Sequence, residues 1–504
     1  MSVIINSYNM TINKLPPEVL VKILSFLTQK DLLFVIRNVC HIWRDLTTSM
    51  CLWNYVEYIY EYRKDKLNRF YRSLAKHKLV NHIVNLKITE ELFWKLLKYD
   101  KHVKFASLKS IDISADLLRS GKIFAEICNR CPCLESIKIW AVVGVDVKNM
   151  FKVLSKKKFI DFDVGYYNED KQQDFDKHFL SFLATQPNIQ QLSLRTLHSH
   201  DEHDLARIIE GNPHITTLCL SSNYVSNQLF KRLHLNLTKI AIHSNLFDDQ
   251  GLEWLTSRSN QLVSINVKDC ETITDRGISF IGQNCPSLEN LTFGNHMQTK
   301  IGNDGMLSVA QGCPKLKTLH THFIWNINDD SVVLLAKSCT FLQKVSFEKG
   351  AKFTDASLMA IGDNCPLLKF ARFKECDELT KDGVLYLIAS CIYMETLEIT
   401  CCRGIGLDQS NANLRNTSST ITGRLNCAEN IQIETSGAST KKHSHLKRLN
   451  LFGCLNTSNE TLLYLVKHCP DLRYLSRTDT SIQCNEQLMS ELLRMCSLLD
   501  TTYL

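Results

Sequence analysis

The chain of 504 residues contains no apolar run long enough to cross a membrane as a helix. No membrane partner is therefore expected. Its first residues, MSVIINSYNMTINKLPP, are too polar for a secretory leader, and the last four, TTYL, hold no prenylation cysteine. It lacks a nucleotide-binding glycine fingerprint, a His-Glu-x-x-His pair and a nucleophile elbow. Neither a catalytic residue nor a cofactor is expected. Strong charge is missing too. A net +7 over this length does not argue for nucleic acid, although it permits acidic partners.

What the chain does have is a repeat of about 26 residues. The clearest copies are CPSLENLTF from Cys285, CPKLKTLHT from Cys313, CTFLQKVSF from Cys339, CPLLKFARF from Cys365, CIYMETLEI from Cys391 and CPDLRYLSR from Cys469. With the leading Cys as position zero, apolar residues recur at plus three, six and eight, as in Leu288, Leu291 and Phe293. Copies without Cys keep the frame, from Ile83-Leu86-Ile88 to Leu262-Ile265-Val267. A second Cys or Asn often follows at plus eleven. Positions plus six and plus eight share one face of a short strand. The second half of each copy has helical spacing, as in Ile278, Ile281 and the small Gly282, with Thr274 or Asp275 at its start. Strand plus helix, stacked, predicts an α/β solenoid: a curved leucine-rich-repeat horseshoe of about 15 repeats over residues 80–504, with a concave parallel β-sheet and outer helices. Such a fold presents a long surface rather than one deep pocket.

The cysteines fit this architecture. Of 20, eight sit at position zero and four at plus eleven, which explains 12 as small buried residues. Free thiols at this density suit a reducing compartment, so a cytoplasmic or nuclear location is expected. Two clusters have metal-like spacing: His198-Ser-His200-Asp-Glu-His203 and Cys128-x-x-Cys131-x-Cys133. The first falls where a polar rim loop is expected and Cys131 is a repeat position, so no metal is expected.

Residues 12–53 stand outside the repeat. Val19, Leu20, Ile23, Leu24 and Leu27 follow one another at helical spacing after Leu15-Pro16. Asp31 is placed to cap a second helix, and a third segment carries Val39, Cys40 and Trp43. Three short helices in so few residues hold more apolar surface than they can bury, which calls for a partner or a cap on the first repeat. Residues 54–79 hold no Gly or Pro and alternate aromatics with bases such as Lys64, Lys66, Arg69 and Arg72; they are read as a packed helical linker. One polar stretch, residues 403–442, interrupts the frame. It is either an inserted excursion, the favoured reading, or a degenerate repeat with Ile431 and Ile433 in its strand.

Leu15-Pro16-x-Glu18, Ile23, Phe26-Leu27, Asp31-Leu32, Val39-Cys40, Trp43 and Leu52-Trp53 resemble an F-box. The repeat resembles the cysteine-containing leucine-rich repeats. Together they look like an F-box/leucine-rich-repeat protein. The resemblance implies a non-catalytic receptor that docks on the Skp adaptor of a Skp–cullin–F-box ubiquitin ligase, with cullin and RING subunits reached through the adaptor. On the motif, adaptor binding falls to Leu15, Pro16, Ile23, Leu27, Leu32, Val39 and Trp43. Two other readings remain: a scaffold without ubiquitin transfer, and a receptor that uses a small anionic co-ligand.

The positions between the buried ones face the concave side. They carry a late group of Lys344, Phe370, Arg372, Lys374, Arg448 and Phe452, with Trp140 among the early copies. Basic and aromatic side chains together suit capture of an acidic or phosphorylated protein segment, with Arg372, Lys374 and Arg448 expected to converge on it.

Overall fold

The computed structural model describes residues 15–27, 29–57, 70, 72–76, 78–99, 102–113, 121–142, 145–166, 172–195, 202–221, 225–232, 236–295, 300–406, 445–454, 457–477 and 486–500. The chain divides into two compact units, residues 1–225 with 232–236 and residues 226–231 with 237–504.

The first unit opens on three short helices, α1 (Pro17–Leu24), α2 (Gln29–Phe34) and α3 (His41–Leu46). Pro17 starts α1, where its missing N–H leaves no gap, and the Pro16 carbonyl accepts the amides of Val19 and Leu20 at 3.0 and 3.1 Å. Cys40 caps α3 by accepting the Trp43 amide at 3.5 Å. Asp31 lies within the first turn of α2, which begins three residues earlier than expected, so it favours the helix by charge rather than as its cap. Trp53 is fully buried and its indole donates to the Thr47 carbonyl at 2.6 Å.

From Trp53 the chain passes directly into a sheet. Strand β1 (Tyr55–Glu57) pairs in parallel with β2 (Asn85–Lys87). The expected helical linker therefore begins on a strand. Its Tyr-Val-Glu run alternates, with Val56 fully buried and Tyr55 exposed, and it covers the edge of β2. Residues 72–76 are helical, and Arg72 lies over the Tyr99 ring at 6.0 Å. Lys64, Lys66 and Arg69 fall outside the described residues.

The rest of this unit alternates helices α4 (Glu90–Tyr99), α5 (Lys122–Arg130), α6 (Val147–Leu154), α7 (Gln172–Leu183) and α8 (Glu202–Glu210) with strands β3 (Ser110–Asp112), β4 (Ser136–Val142), β5 (Asp161–Tyr166), β6 (Gln191–Arg195) and β7 (Thr217–Ser221). Each strand pairs in parallel with its predecessor. The second unit repeats the plan. Its helices are α9 (Asn227–Arg232), α10 (Asp249–Arg258), α11 (Asp275–Asn284), α12 (Asn303–Gly312), α13 (Asp329–Ser338), α14 (Asp355–Asn364), α15 (Lys381–Ser390), α16 (Asn459–Val466) and α17 (Glu486–Met495). Its strands are β8 (Lys239–His243), β9 (Ser264–Lys268), β10 (Asn290–Gly294), β11 (Thr318–His322), β12 (Lys344–Glu348), β13 (Phe370–Lys374), β14 (Thr396–Thr400), β15 (Arg448–Leu451) and β16 (Tyr474–Arg477), parallel and in chain order.

The register is the one the repeat predicts. Residues at plus six and eight are buried in copy after copy, as at Leu86 and Ile88, Ile240 and Ile242, Leu291 and Phe293, and Leu397 and Ile399. They pack between sheet and helices, and the other strand face stays open. The helix starts are tied across repeats by a row of acceptors. Asp249 accepts the amide and hydroxyl of Thr274 (2.8 and 2.6 Å), Asp329 those of Thr354 (3.0 and 2.7 Å), and Asp355 those of Thr380 (2.8 and 2.6 Å). Each carboxylate thus fastens the next helix to its own.

Burial alone does not explain why position zero is Cys rather than Ala. The Cys313 thiol donates to the Cys285 carbonyl at 3.5 Å, Cys339 to Cys313 at 3.4 Å and Cys496 to Cys469 at 3.0 Å. Where Cys is missing, buried Gln186, Asn212 and Ser259 stand in its place. Asn212 donates instead to the Ile208 carbonyl of its own helix at 2.8 Å, so the thiol-to-carbonyl link between repeats belongs to the Cys copies. Burial pushes the thiols of Cys313, Cys339 and Cys365 up to about 12. At pH 8 the thiolate fraction is then on the order of one in ten thousand. Native labelling with a maleimide should accordingly modify exposed Cys51 and Cys133 first and reach Cys313, Cys339 and Cys365 only after denaturation. Rapid native labelling of those three would contradict this arrangement.

Contacts link the elements on either side of the polar interruption. Strand β14 pairs directly with β15, Thr396 opposite Arg448 and Leu397 opposite Leu449. Tyr464 on α16 correspondingly reaches Asp382 on α15 at 3.5 Å. Ile431 and Ile433, the alternative strand, lie outside the described residues.

Candidate functional site

Two surfaces carry the residues singled out above. The first is the helical segment at residues 15–53. Leu20 and Leu24, four apart on α1, are buried together with Leu32, Ile36 and Leu52. That leaves the opposite side of α1 uncovered: Leu15, Val19, Ile23 and Leu27 are exposed, and Phe26 is 80% exposed. Beyond α2, Val35, Val39 and Ile42 are exposed as well. Pro16 is exposed and Trp43 half-buried.

Leu32 departs from the expected set. At 1% exposure it belongs to the interior of the segment and not to its surface. The exposed apolar side chains that the expected adaptor-binding set left out are Val19, Phe26, Val35 and Ile42. The signal for the α1 part was present in the spacing Val19-Ile23-Phe26, which falls on one side of a helix.

The second surface is the open face of β12–β16. Its residues lie in rows set by the parallel register. One row runs Lys344, Phe370, Thr396, Arg448 and Tyr474; the next runs Ser346, Arg372, Glu398, Asn450 and Ser476. A third contains Glu348, Lys374 and Thr400. Phe452 is exposed just beyond β15, with its amide donated to Asn450 Oδ1 at 3.0 Å. Trp140 lies in β4, but its side chain is outside the described residues.

The late group does not act as a set of free cations. Arg372 pairs with Glu398 on the neighbouring strand, Nε to Oε2 at 2.5 Å. Lys374 pairs with Glu348, which also accepts from His322 Nδ1 at 2.9 Å. The expected convergence of Arg372, Lys374 and Arg448 is thus altered: the first two are neutralised across strands, and Arg448 stands two strands from β13, its guanidinium 4.2 Å from the Tyr474 ring. Neither pair is evident along the chain, because the partner of each carboxylate lies 26 residues away.

Burial works against ionisation of Glu348, but hydrogen bonds from Lys374 and His322 outweigh it and hold the carboxyl below its ordinary 4.5. A lowered native value means stability that is present above 4.5 and lost as pH falls through the native value. Glu348→Gln should therefore reduce unfolding free energy by about 1–2 kcal/mol at pH 7, with the deficit shrinking as the buffer is taken below pH 4. Denaturant titrations at the two pH values measure this; an equal deficit at both would exclude the charged carboxylate as the cause.

Beside this network the backbone turns left-handed at a non-glycine residue in successive repeats: Phe323, Lys349, Glu375 and Cys401 have φ between 55° and 59°. Lys349 is held at 4.2 Å from the Phe323 ring, 5.2 Å from the Trp325 ring and 3.3 Å from Glu375. Cation–ring contacts of this kind offset part of the backbone strain.

The three cysteines with metal-like spacing sit in different surroundings. Cys128 is half-buried and directed at the Val153 carbonyl (3.7 Å), Cys131 is buried and Cys133 is exposed. His198 and His200 lie outside the described residues. Among the described residues no three His, Cys, Asp or Glu side chains are grouped to hold a metal, and no helix is long and apolar enough to cross a membrane.

Comparison with known proteins agrees with this geometry. Residues 12–57 match the F-box-like family model. A chain in the crystal structure of the Rad7 and Elc1 complex of yeast is similar in fold, with a TM-score of 0.50 at 13% identity over 71% of this chain and 88% of that one. The leucine-rich repeat-containing protein LegL7 of Legionella pneumophila matches at a TM-score of 0.36 and 13% identity, over 58% of this chain and 91% of its own. Residues 12–57 are an F-box-like domain, and the strand–helix units that follow are leucine-rich repeats.

Proposed function

We propose that the chain is a non-catalytic substrate receptor of a Skp–cullin–F-box ubiquitin ligase. One observation carries this reading: an F-box-like segment leaves Val19, Ile23, Phe26 and Leu27 exposed on one side while burying Leu20 and Leu24 on the other. A monomeric surface seldom exposes so many large apolar side chains in one short segment without a partner. A Skp-type adaptor is the partner that F-box segments take, and cullin and RING subunits follow through it. The structure similar in fold is likewise of a complex of two proteins. The repeats then hold the substrate on the open strand face, and ubiquitin transfer belongs to other subunits. Affinity capture with cullin activity blocked tests the whole reading. The intact chain should retain adaptor, cullin and substrate; a chain without residues 1–53 should lose adaptor and cullin and keep the substrate. Equal capture of cullin by both would overturn it.

A further inference from the structure

Once Arg372 is spent on Glu398 and Lys374 on Glu348, the positive charge left on the open face of β12–β16 sits elsewhere. Lys344 and Arg448 are exposed, and neither has an ion-pair partner among the described residues. Both lie in one row, with Phe370 and Thr396 between them. Arg448 is steadied by the Tyr474 ring, so less side-chain freedom is lost when it binds. The neighbouring row is unsuited to a second acid, because Glu398 already faces it.

Geometry selects the ligand. Lys344 on β12 and Arg448 on β15 are three strand spacings apart, about 14 Å at roughly 4.8 Å per strand. An extended peptide rises about 3.3 Å per residue and turns alternate side chains to one side, so residues i, i+2 and i+4 face the sheet over about 13 Å. Resting on the receptor reading above, we propose that this face binds an extended acidic peptide segment lying across the strands. Carboxylates four residues apart meet Lys344 and Arg448, and an apolar side chain between them meets Phe370. Arg372, whose guanidinium is 5.6 Å from the Phe370 ring, steadies that ring and takes no acid of its own.

The test uses the full chain and two labelled peptides of equal composition, Gly-Glu-Ser-Leu-Ser-Glu-Gly and Gly-Ser-Glu-Glu-Leu-Ser-Gly, read by fluorescence anisotropy. The first should bind at least about fivefold more tightly than the second, and added salt should weaken it. Lys344→Gln and Arg448→Gln should each weaken it about fivefold, and Arg372→Gln less than about twofold. All three variants should capture the adaptor as the native chain does and melt at the native temperature. Equal binding of the two peptides, no binding of either, or a loss in Arg372→Gln as large as in Lys344→Gln would overturn the proposal. So would displacement of the peptide by a short single-stranded oligonucleotide that binds more tightly. In each case intact adaptor capture would leave the receptor reading standing, whereas failure of adaptor capture by the native chain would count against that reading alone.

Discussion

Ile23→Asp combined with Leu27→Asp is expected to abolish capture of a Skp-type adaptor, a loss of at least about a hundredfold, while the repeats stay folded. Both side chains are exposed in the isolated chain, so charge there leaves the interior of the segment intact. Buried in an apolar contact, each new carboxylate would be desolvated without a partner, at about 2 kcal/mol or more apiece. Leu15→Ala with Pro16→Ala should weaken capture less, since it removes contact without adding charge. Leu32→Ala should behave differently again. That residue is interior, and its truncation should destabilise the segment by about 2–4 kcal/mol, so that binding falls because the docking surface is lost. Co-precipitation with recombinant adaptor, alongside circular dichroism of each variant, separates the cases. Undiminished capture by the double aspartate variant would remove the docking assignment.

The repeats were legible because the same spacing recurs: any one copy is ambiguous, but Leu288-Leu291-Phe293 and its equivalents hold phase across both units. The strand at Tyr55–Glu57 was not legible. A three-residue strand offers no periodicity to read, and it exists because β2 supplies an edge to pair with. The two candidate surfaces differ for a related reason. On α1 the partition into buried Leu20 and Leu24 and exposed Val19 and Ile23 is a local helical pattern, readable within a dozen residues. On the open face, charges answer one another from strand to strand. Arg372 meets Glu398, and Lys374 meets Glu348, only because the parallel register sets them side by side. Summing basic residues along the chain counted the cations and missed their neutralisation. Leu32 illustrates the opposite error: a motif position marks a residue the segment needs, without saying whether a partner touches it.

Gly312→Ala is expected to be among the most disruptive single-methyl changes in the chain, destabilising the second unit by about 3 kcal/mol or more. Gly312 ends α12 and Gly282 lies in the last turn of α11. A Cβ on Gly312 would stand 1.7 Å from the Gly282 carbonyl oxygen and 2.4 Å from its carbon. A Cβ on Gly282 would in turn stand 2.3 Å from the Ser308 carbonyl oxygen. These obstacles are backbone atoms, which no rotamer change can move aside, so the two helices must separate. Separation would propagate into the row of buried cysteines, since Cys285 and Cys313 immediately follow the two helices and are joined thiol to carbonyl at 3.5 Å. Gly211→Ala provides the contrast. Just past the end of α8, its added Cβ meets the carbonyl of Arg207 at 3.2 Å, a contact a few tenths of an ångström of adjustment relieves, and its expected effect is below about 1 kcal/mol. With two units in the chain a single unfolding transition is not assured, so amide hydrogen exchange resolved to α11 and α12 is the proper measure. Gly312→Ala should lose protection in both helices at temperatures where Gly211→Ala retains it. Native-like protection of α11 and α12 in Gly312→Ala would show that the helices do not approach through these glycines.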